Sequence, residues 1–224
     1  MAIEQVKATG QNISTAVMQR RVEAHDSLDD FPTPPWATRA ICEWLSHRGL
    51  IDSAMLCREP AANRGFMARP LGEYFASVEA SDVHDYGCGY LVRDYLFGAD
   101  QSQVDWTFTN PPFRLAQQFI ERGIRTSRIG MAVIVRSAFV EGQGRFETLF
   151  RDNPPAWIVQ HSERVPMVKG RYDPDASTAT AYCWLVWLNK ITDKQTGFAW
   201  LPPCKTQLFR SDDAMLHESE RTLA

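Results

Sequence analysis

The sequence lacks what would mark a metal-built, disulfide-stapled or membrane-spanning chain. Its five cysteines (Cys42, Cys57, Cys88, Cys183 and Cys204) are scattered through 224 residues. No Cys-x-x-Cys pair and no clustered histidines accompany them, so no zinc pattern arises, and the odd count argues against a disulfide framework. The five histidines have no metal or catalytic spacing, so no metal is expected. No apolar run approaches the roughly 20 residues that cross a bilayer. The first residues, MAIEQVKATGQNIS, lack a basic segment followed by an apolar core, and a cytoplasmic, reducing setting is the expectation. Basic surplus is missing too. With 24 Lys+Arg against 27 Asp+Glu the net charge is −3, so any nucleic-acid partner has to be held by a local basic face.

What is present is enough apolar material for a core. Hydrophobic residues make up 44% and charged residues 23%, the balance of an ordinary globular domain. Residues 1–30 are polar, without a sustained apolar period, and read as a flexible arm or one loosely docked helix. FPTPPW (31–36) is an extended proline-rich segment, because each proline pushes its predecessor out of the helical region. From Thr38 the pattern turns helical, with Ala40, Ile41, Trp44 and Leu45 on one face and Gly49 as the stop. Short apolar runs then alternate with helix-length segments. Strands are expected at 53–57, 76–81, 104–109, 131–135 and 156–159, and helices at 115–127 and 144–152.

Strands spaced by helices imply parallel pairing with right-handed crossovers, an α/β doubly wound sheet. Later stretches at 180–189 and 205–209 look strand-like without an intervening helix, which suggests an antiparallel addition. Residues 211–224 read as a frayed tail. No internal repeat and no low-complexity tract is apparent.

In such a sheet, ligands bind beyond the carboxyl ends of the strands. Three segments occupy those positions, and a fourth, Asp94-Tyr95, sits just before the strand at 104–109. After the first strand comes Glu59-Pro60-Ala61-Ala62-Asn63-Arg64-Gly65, a tight turn where a ligand can touch backbone beside a carboxylate; it reads equally as a structural turn. Asp82 follows about 20 residues later, where an acidic residue can bind ribose hydroxyls or simply sit on the surface. Asp94-Tyr95 can hold an adenine ring or belong to a solvated loop.

Asn110-Pro111-Pro112-Phe113 ends the apolar strand 104–109, and it carries the sharpest chemistry. The Asn110 side-chain oxygen and the Pro111 carbonyl are two fixed acceptors. Together they can hold both hydrogens of a planar amine, localise its lone pair and aim it at an electrophilic carbon. Phe113 offers a face for a base flipped from its stack. Alone, the tetrapeptide also reads as a plain proline turn. A second copy, Asn153-Pro154-Pro155, follows a charged helix-like stretch and reads as a helix stop before a strand.

Taken together, in order and spacing, Pro32-Thr33-Pro34-Pro35, Glu59 to Gly65, Asp82, Asp94 and Asn110 to Phe113 resemble the N6-adenine DNA methyltransferases, particularly small bacteriophage-type adenine methylases. The resemblance spans residues 30–190. It implies a Rossmann-like methyltransferase fold with a mostly parallel seven-stranded sheet and an antiparallel C-terminal strand, carried by residues 31–210. It implies S-adenosylmethionine as cofactor, with Phe31, Thr33 and Pro34 at its methionine end, Glu59, Ala61, Asn63 and Gly65 beside them, Asp82 on the ribose and Asp94 with Tyr95 on the adenine. Asn110, which the resemblance also places against the cofactor, would hold the target amine with Pro111. Pro112 would stiffen the loop and Phe113 would stack on the base.

The cofactor turn usually carries a second glycine where Asn63 stands, and Asn tolerates left-handed backbone better than most residues. Relatives often add a target-recognition domain, for which residues 1–224 leave no room. Base-sequence specificity would then be weak, come from another chain, or come from loops such as 167–175. The surrounding segment, 165–178, is long and flexible in composition and reads equally as a surface loop; it bears Lys169, Arg171 and Tyr172, which are candidate acceptor contacts together with Arg114. Arg136 and Arg145 follow strand ends and can meet phosphates or solvate the surface. Trp184 and Trp187 are expected to pack in the sheet. The same loop chemistry also suits an RNA adenine or a protein glutamine, and a non-catalytic binding subunit would keep the fold without the reaction.

Overall fold

The computed structural model describes residues 29–190 and 195–213; expectations for the arm before residue 29 and the tail after 213 lie outside them. The first described helix, α1 (Pro35–Ser46), starts three residues earlier than expected. Proline suits a first helical turn because its missing N–H would have had no partner there. Gly49, at φ 65°, takes the chain out of the helix. Eight strands follow: β1 (Leu56–Glu59), β2 (Ser77–Asp82), β3 (Leu91–Val92), β4 (Val104–Thr109), β5 (Ser127–Arg136), β6 (Trp157–His161), β7 (Tyr182–Leu188) and β8 (Gly197–Leu201). Between them lie the short α2 (Ala68–Leu71), the amphipathic α3 (Ala116–Thr126), the three-residue α4 (Gln143–Arg145), which continues into a π turn at Phe146–Phe150, and α5 (Lys205–Leu208).

The strands form one sheet in the order β3-β2-β1-β4-β5-β7-β6-β8. β7 alone is antiparallel to its neighbours β5 and β6, and every other pairing is parallel. This is the mixed α/β, doubly wound methyltransferase-type fold that the sequence implied, with eight strands in place of seven. The extra strand is β8, which pairs with β6 at the sheet's far edge. Residues 205–209, expected as a strand, instead form α5; four residues after Cys204 close one helical turn. Ser127, expected at the end of a helix, opens β5.

The core follows from the two-residue period of β5. Ala132 and Ile134 face Trp36, Ile41 and Leu45 of α1, together with Trp106, Phe108 and Trp184. Met131, Val133 and Val135 face the other way, against Ile120 of α3, Leu149, Leu185 and Trp187. Successive side chains of a strand leave on opposite faces, so a strand covered on both sides reads as an unbroken apolar run. Gly130 is required by this packing: a Cβ there would sit 2.3 Å from the Trp187 carbonyl oxygen. The C-terminal segment is clasped to α1 by Arg39, whose buried guanidinium pairs with Asp213 and Glu73, each at 2.8 Å. Asp213, within the expected tail, is therefore buried.

The strand order reverses between β1 and β4. Chain connections leave on opposite faces there and open a crevice at the strands' carboxyl ends. Glu59 ends β1 and Asn110 follows β4, so the fold itself brings the two segments together.

Candidate functional site

The turn after β1 is set by its dihedrals and its hydrogen bonds. Asn63 has φ 52°, the one non-glycine with positive φ among the described residues. It is the residue standing where the resemblance expects glycine. Its backbone N–H donates to Asp82 Oδ2 (2.9 Å), and its side-chain Nδ2 donates to Asp30 Oδ1 (2.7 Å). Two carboxylates thus hold the left-handed residue in place. Gly65, at φ 86°, could not carry a side chain, since a Cβ would fall 2.1 Å from the Tyr90 hydroxyl oxygen.

This turn walls a cavity of about 160 Å³, an order of magnitude beyond the ~10–15 Å³ that one water needs. Phe31, Thr33, Glu59, Ala61, Asn63, Asp82, Asp94, Tyr95, Asn110 and Pro112, all singled out from sequence, line it. The structure adds Asp29, Tyr86, Leu115 and Phe119, among others. Glu59 is fully buried, and its Oε1 accepts the Ala61 N–H at 3.0 Å. Burial pushes its carboxyl up to about 8, aided by the charge of Asp82, while the Ala61 amide pulls the other way. Its Oε2 has no hydrogen-bond partner, nor does the hydroxyl of Thr33 or of Thr109, all buried. Thr109 lies close enough to act on the Glu59 carboxyl without making a well-aligned bond to it.

Buried acceptors without donors are costly. Glu59 Oε2 and the Thr33 hydroxyl, which both line the cavity, suit a ligand that brings N–H groups and positive charge to this end. The carboxylates of Asp29, Asp82 and Asp94 on the same walls favour the same sign. Burial also raises the Asp82 carboxyl, against the amides of His84 and Asn63 that donate to it. Tyr95 is buried, with its hydroxyl 3.3 Å from Thr126 Oγ1 and its ring 5.0 Å from Phe119, so it forms a packed wall, whereas Asp94 stays exposed at the mouth.

Across the crevice, the Asn110 side chain is oriented by the segment that precedes α1. Nδ2 donates to the Phe31 carbonyl oxygen at 2.8 Å and to Met167 Sδ at 3.7 Å. With both amide hydrogens engaged, Oδ1 is left as an acceptor with no donor among the described residues. Pro111 is buried and Pro112 half-buried on the cavity wall. Phe113 does not line the cavity. Its N–H donates to Asp29 Oδ2 (2.8 Å), its ring tilts against Phe31 at 5.4 Å, and the Arg136 guanidinium lies 4.3 Å over it.

The segment 165–178, expected as a flexible loop, is partly docked. Val165 and Met167 are buried, Val168 bridges Arg171, and the Gly170 N–H donates to the Asp30 carbonyl oxygen at 2.8 Å. Tyr172, expected as an acceptor contact, is buried, with its ring 5.2 Å from Phe66. Its hydroxyl is buried without a hydrogen-bond partner among the described residues. Lys169, Arg171 and Arg114 are exposed, and Arg171 pairs with Asp173 at 3.2 Å. Pro34 is buried as the cap of α1, and Gly65 holds the turn, so both shape the wall without lining it. Asp29 and Asp30 could have been noticed in sequence as carboxylates directly preceding the Phe31-to-Trp36 segment. Among the described residues no cluster of acidic, histidine or cysteine side chains could hold a metal, and no helix is long and apolar enough to cross a membrane.

No protein-family model and no curated protein sequence matches this chain. Solved structures do resemble it. One is a protein from Listeria monocytogenes assigned to the class I S-adenosylmethionine-dependent methyltransferases, with TM-score 0.54 and 15% identity over 84% of this chain and 70% of that one. A second is the methyltransferase subunit of a type I restriction-modification system from Streptococcus thermophilus, with TM-score 0.58 and 10% identity over 76% and 47%. A third, from Vibrio vulnificus, is a modification subunit assigned to a type I restriction enzyme, with TM-score 0.53 and 16% identity over 87% and 54%. The chain spans about half the length of these two subunits. At such identities the likeness establishes the fold.

Proposed function

We propose that the chain is an S-adenosylmethionine-dependent methyltransferase that methylates the N6 amino group of adenine in DNA. The observation that carries this is the commitment of Asn110 Nδ2 to the Phe31 carbonyl, which leaves Oδ1 as the acceptor at the crevice. Solved proteins of this fold include S-adenosylmethionine-dependent enzymes, and the cavity chemistry fits that cofactor. Glu59 Oε2 and the Thr33 hydroxyl, both without donors, suit the cationic methionine end, while Asp82 and Asp94 suit the ribose and adenine.

When bound, S-adenosylmethionine supplies a methyl carbon made electrophilic by its sulfonium sulfur. The protein's own part is positional. Asn110 Oδ1 and the Pro111 carbonyl accept the two N6 hydrogens, which draws the nitrogen lone pair out of the purine ring and aims it. No general base would be needed before the transfer: the neutral amine would displace the sulfonium, the C–S electron pair would stay on sulfur as a neutral thioether, and the N6 proton would pass to solvent. Fixed acceptors of this kind act through preorganisation and typically contribute about 10²–10³ in rate.

The test is transfer of a labelled methyl group to DNA, structured RNA and protein in parallel. DNA labelled in preference to the others supports the proposal. Label only on RNA or on protein glutamine keeps the chemistry and changes the acceptor. No transfer, together with no cofactor binding up to millimolar concentration, points to a non-catalytic binding subunit.

A further inference from the structure

Several arginines stack on aromatic rings, and all but one are also pinned by oxygens. Arg48 lies over Trp44 and donates to the Trp44 carbonyl. Arg64 lies over Tyr86 and pairs with Asp30. Arg122 lies over Tyr95 and donates to the Gly98 and Ala99 carbonyls. Arg145 lies over Phe139 and donates to the Phe139 and Glu141 carbonyls. Arg136 is the exception. Its guanidinium has no hydrogen bond or ion pair among the described residues, and the Phe113 ring, 4.3 Å away, is its partner. It is exposed, at the carboxyl end of β5, beside the loop that carries Asn110.

The Phe113 ring packs at a tilt against Phe31, and its backbone N–H donates to the Asp29 carboxylate. Arg136 is the group stacked over this half-buried ring. We propose that Arg136 is a displaceable cover on the acceptor face: it occupies the Phe113 ring in the free protein, an incoming planar base takes its place, and the released guanidinium meets the acceptor's phosphate. This rests on the proposed nucleic-acid reading of the same site. The magnitudes allow the exchange. An exposed cation–π stack contributes about two- to fivefold in an equilibrium. A base stacked on an aromatic side chain contributes about five- to a hundredfold. The base wins, and an unpaired arginine is the side chain free to turn toward a phosphate. Arg136 is thus a positioning residue, acting through the ring it covers and the phosphate it then holds.

The experiment uses two fluorescent probes on the full chain: uncharged 2-aminopurine riboside and an oligonucleotide with one 2-aminopurine. With the cover removed in Arg136→Ala, the riboside binds about two- to fivefold tighter. The oligonucleotide binds more weakly, and the slope of log K against log salt falls by about 1. Arg136→Lys, whose more strongly hydrated ammonium covers the ring less well, tightens the riboside less than Arg136→Ala does and retains the slope. Opposite shifts on the two probes are what a purely structural or purely phosphate-binding arginine would not give. Riboside affinity that is unchanged or weaker in Arg136→Ala, or riboside binding to neither protein, overturns the proposal. If the riboside behaves as stated while no oligonucleotide of DNA or RNA binds, the phosphate half fails together with the nucleic-acid reading.

Discussion

The chain contains Asn-Pro-Pro twice, and the two copies have different fates. Asn110 follows β4, sends its amide hydrogens to the Phe31 carbonyl and Met167 sulfur, and lines the cavity. Asn153 follows the π turn and is exposed. Its N–H closes the helical end on the Leu149 carbonyl (2.8 Å), and its own carbonyl accepts Trp187 Nε1 (2.9 Å). The tripeptide is the same, so the difference lies in what precedes it. A strand exit at the sheet's switch point presents side chains to a crevice, whereas a helix exit leaves backbone groups to be capped.

The comparison breaks most visibly in turnover. Asn110→Ala should lower methyl transfer by about 10²–10³ while cofactor binding largely persists, and Asn153→Ala should leave transfer within about twofold, both read by single-turnover kinetics. A comparable loss in both variants would remove the distinction.

Next comes the partner of Asn110 across the crevice. The Glu59 carboxyl titrates near 8 when folded against an ordinary value of 4.5. A raised acid favours folding below its unfolded value and loses that contribution as pH climbs through the folded one. Glu59→Gln should therefore raise Tm at pH 8–9 relative to the parent and change it little near pH 4. The same substitution should weaken S-adenosylmethionine binding by at least about tenfold, the scale of one charge-assisted bond. The parent's affinity should rise with pH up to about 8 as the carboxyl ionises, measured by calorimetry.

Smaller effects sharpen the structural side. Asn63→Ala removes the Asp30 bond at a left-handed residue and should cost about 2 kcal/mol in denaturant unfolding, while Asn63→Gly should cost less because the backbone strain disappears. Trp187→Phe, which strips the donor to the second copy's carbonyl, should cost about 1 kcal/mol and leave methyl transfer intact.

Local pattern carried much of this site. Periodicity placed the central strands within a few residues, and the candidate segments Glu59 to Gly65, Asp82 and Asn110 to Phe113 were visible because each follows a strand. Two features were not legible, for physical reasons. β3 has two residues and β8 alternates exposed Phe198 and Trp200 with inward neighbours at the sheet edge, so neither shows the unbroken apolar run of β5 or β7. Residues 205–208 form a helical turn whose first N–H groups, those of Cys204 and Lys205, donate to the Glu163 carboxylate 41 and 42 residues away. The orientation of Asn110 depends on a carbonyl 79 residues away. Tyr172 turns inward onto Phe66, and Phe113 is covered by Arg136. Such contacts across the fold leave no trace in local spacing.

The most direct measurement is the position of the transferred methyl. DNA incubated with the protein and a deuterated methyl donor would be digested to nucleosides and analysed by mass spectrometry. Label on the exocyclic N6 of adenine, absent with Asn110→Ala, is the predicted result. Label on a ring nitrogen, on carbon or on oxygen would mean that the acceptor pair at the end of β4 does not act on a planar amine.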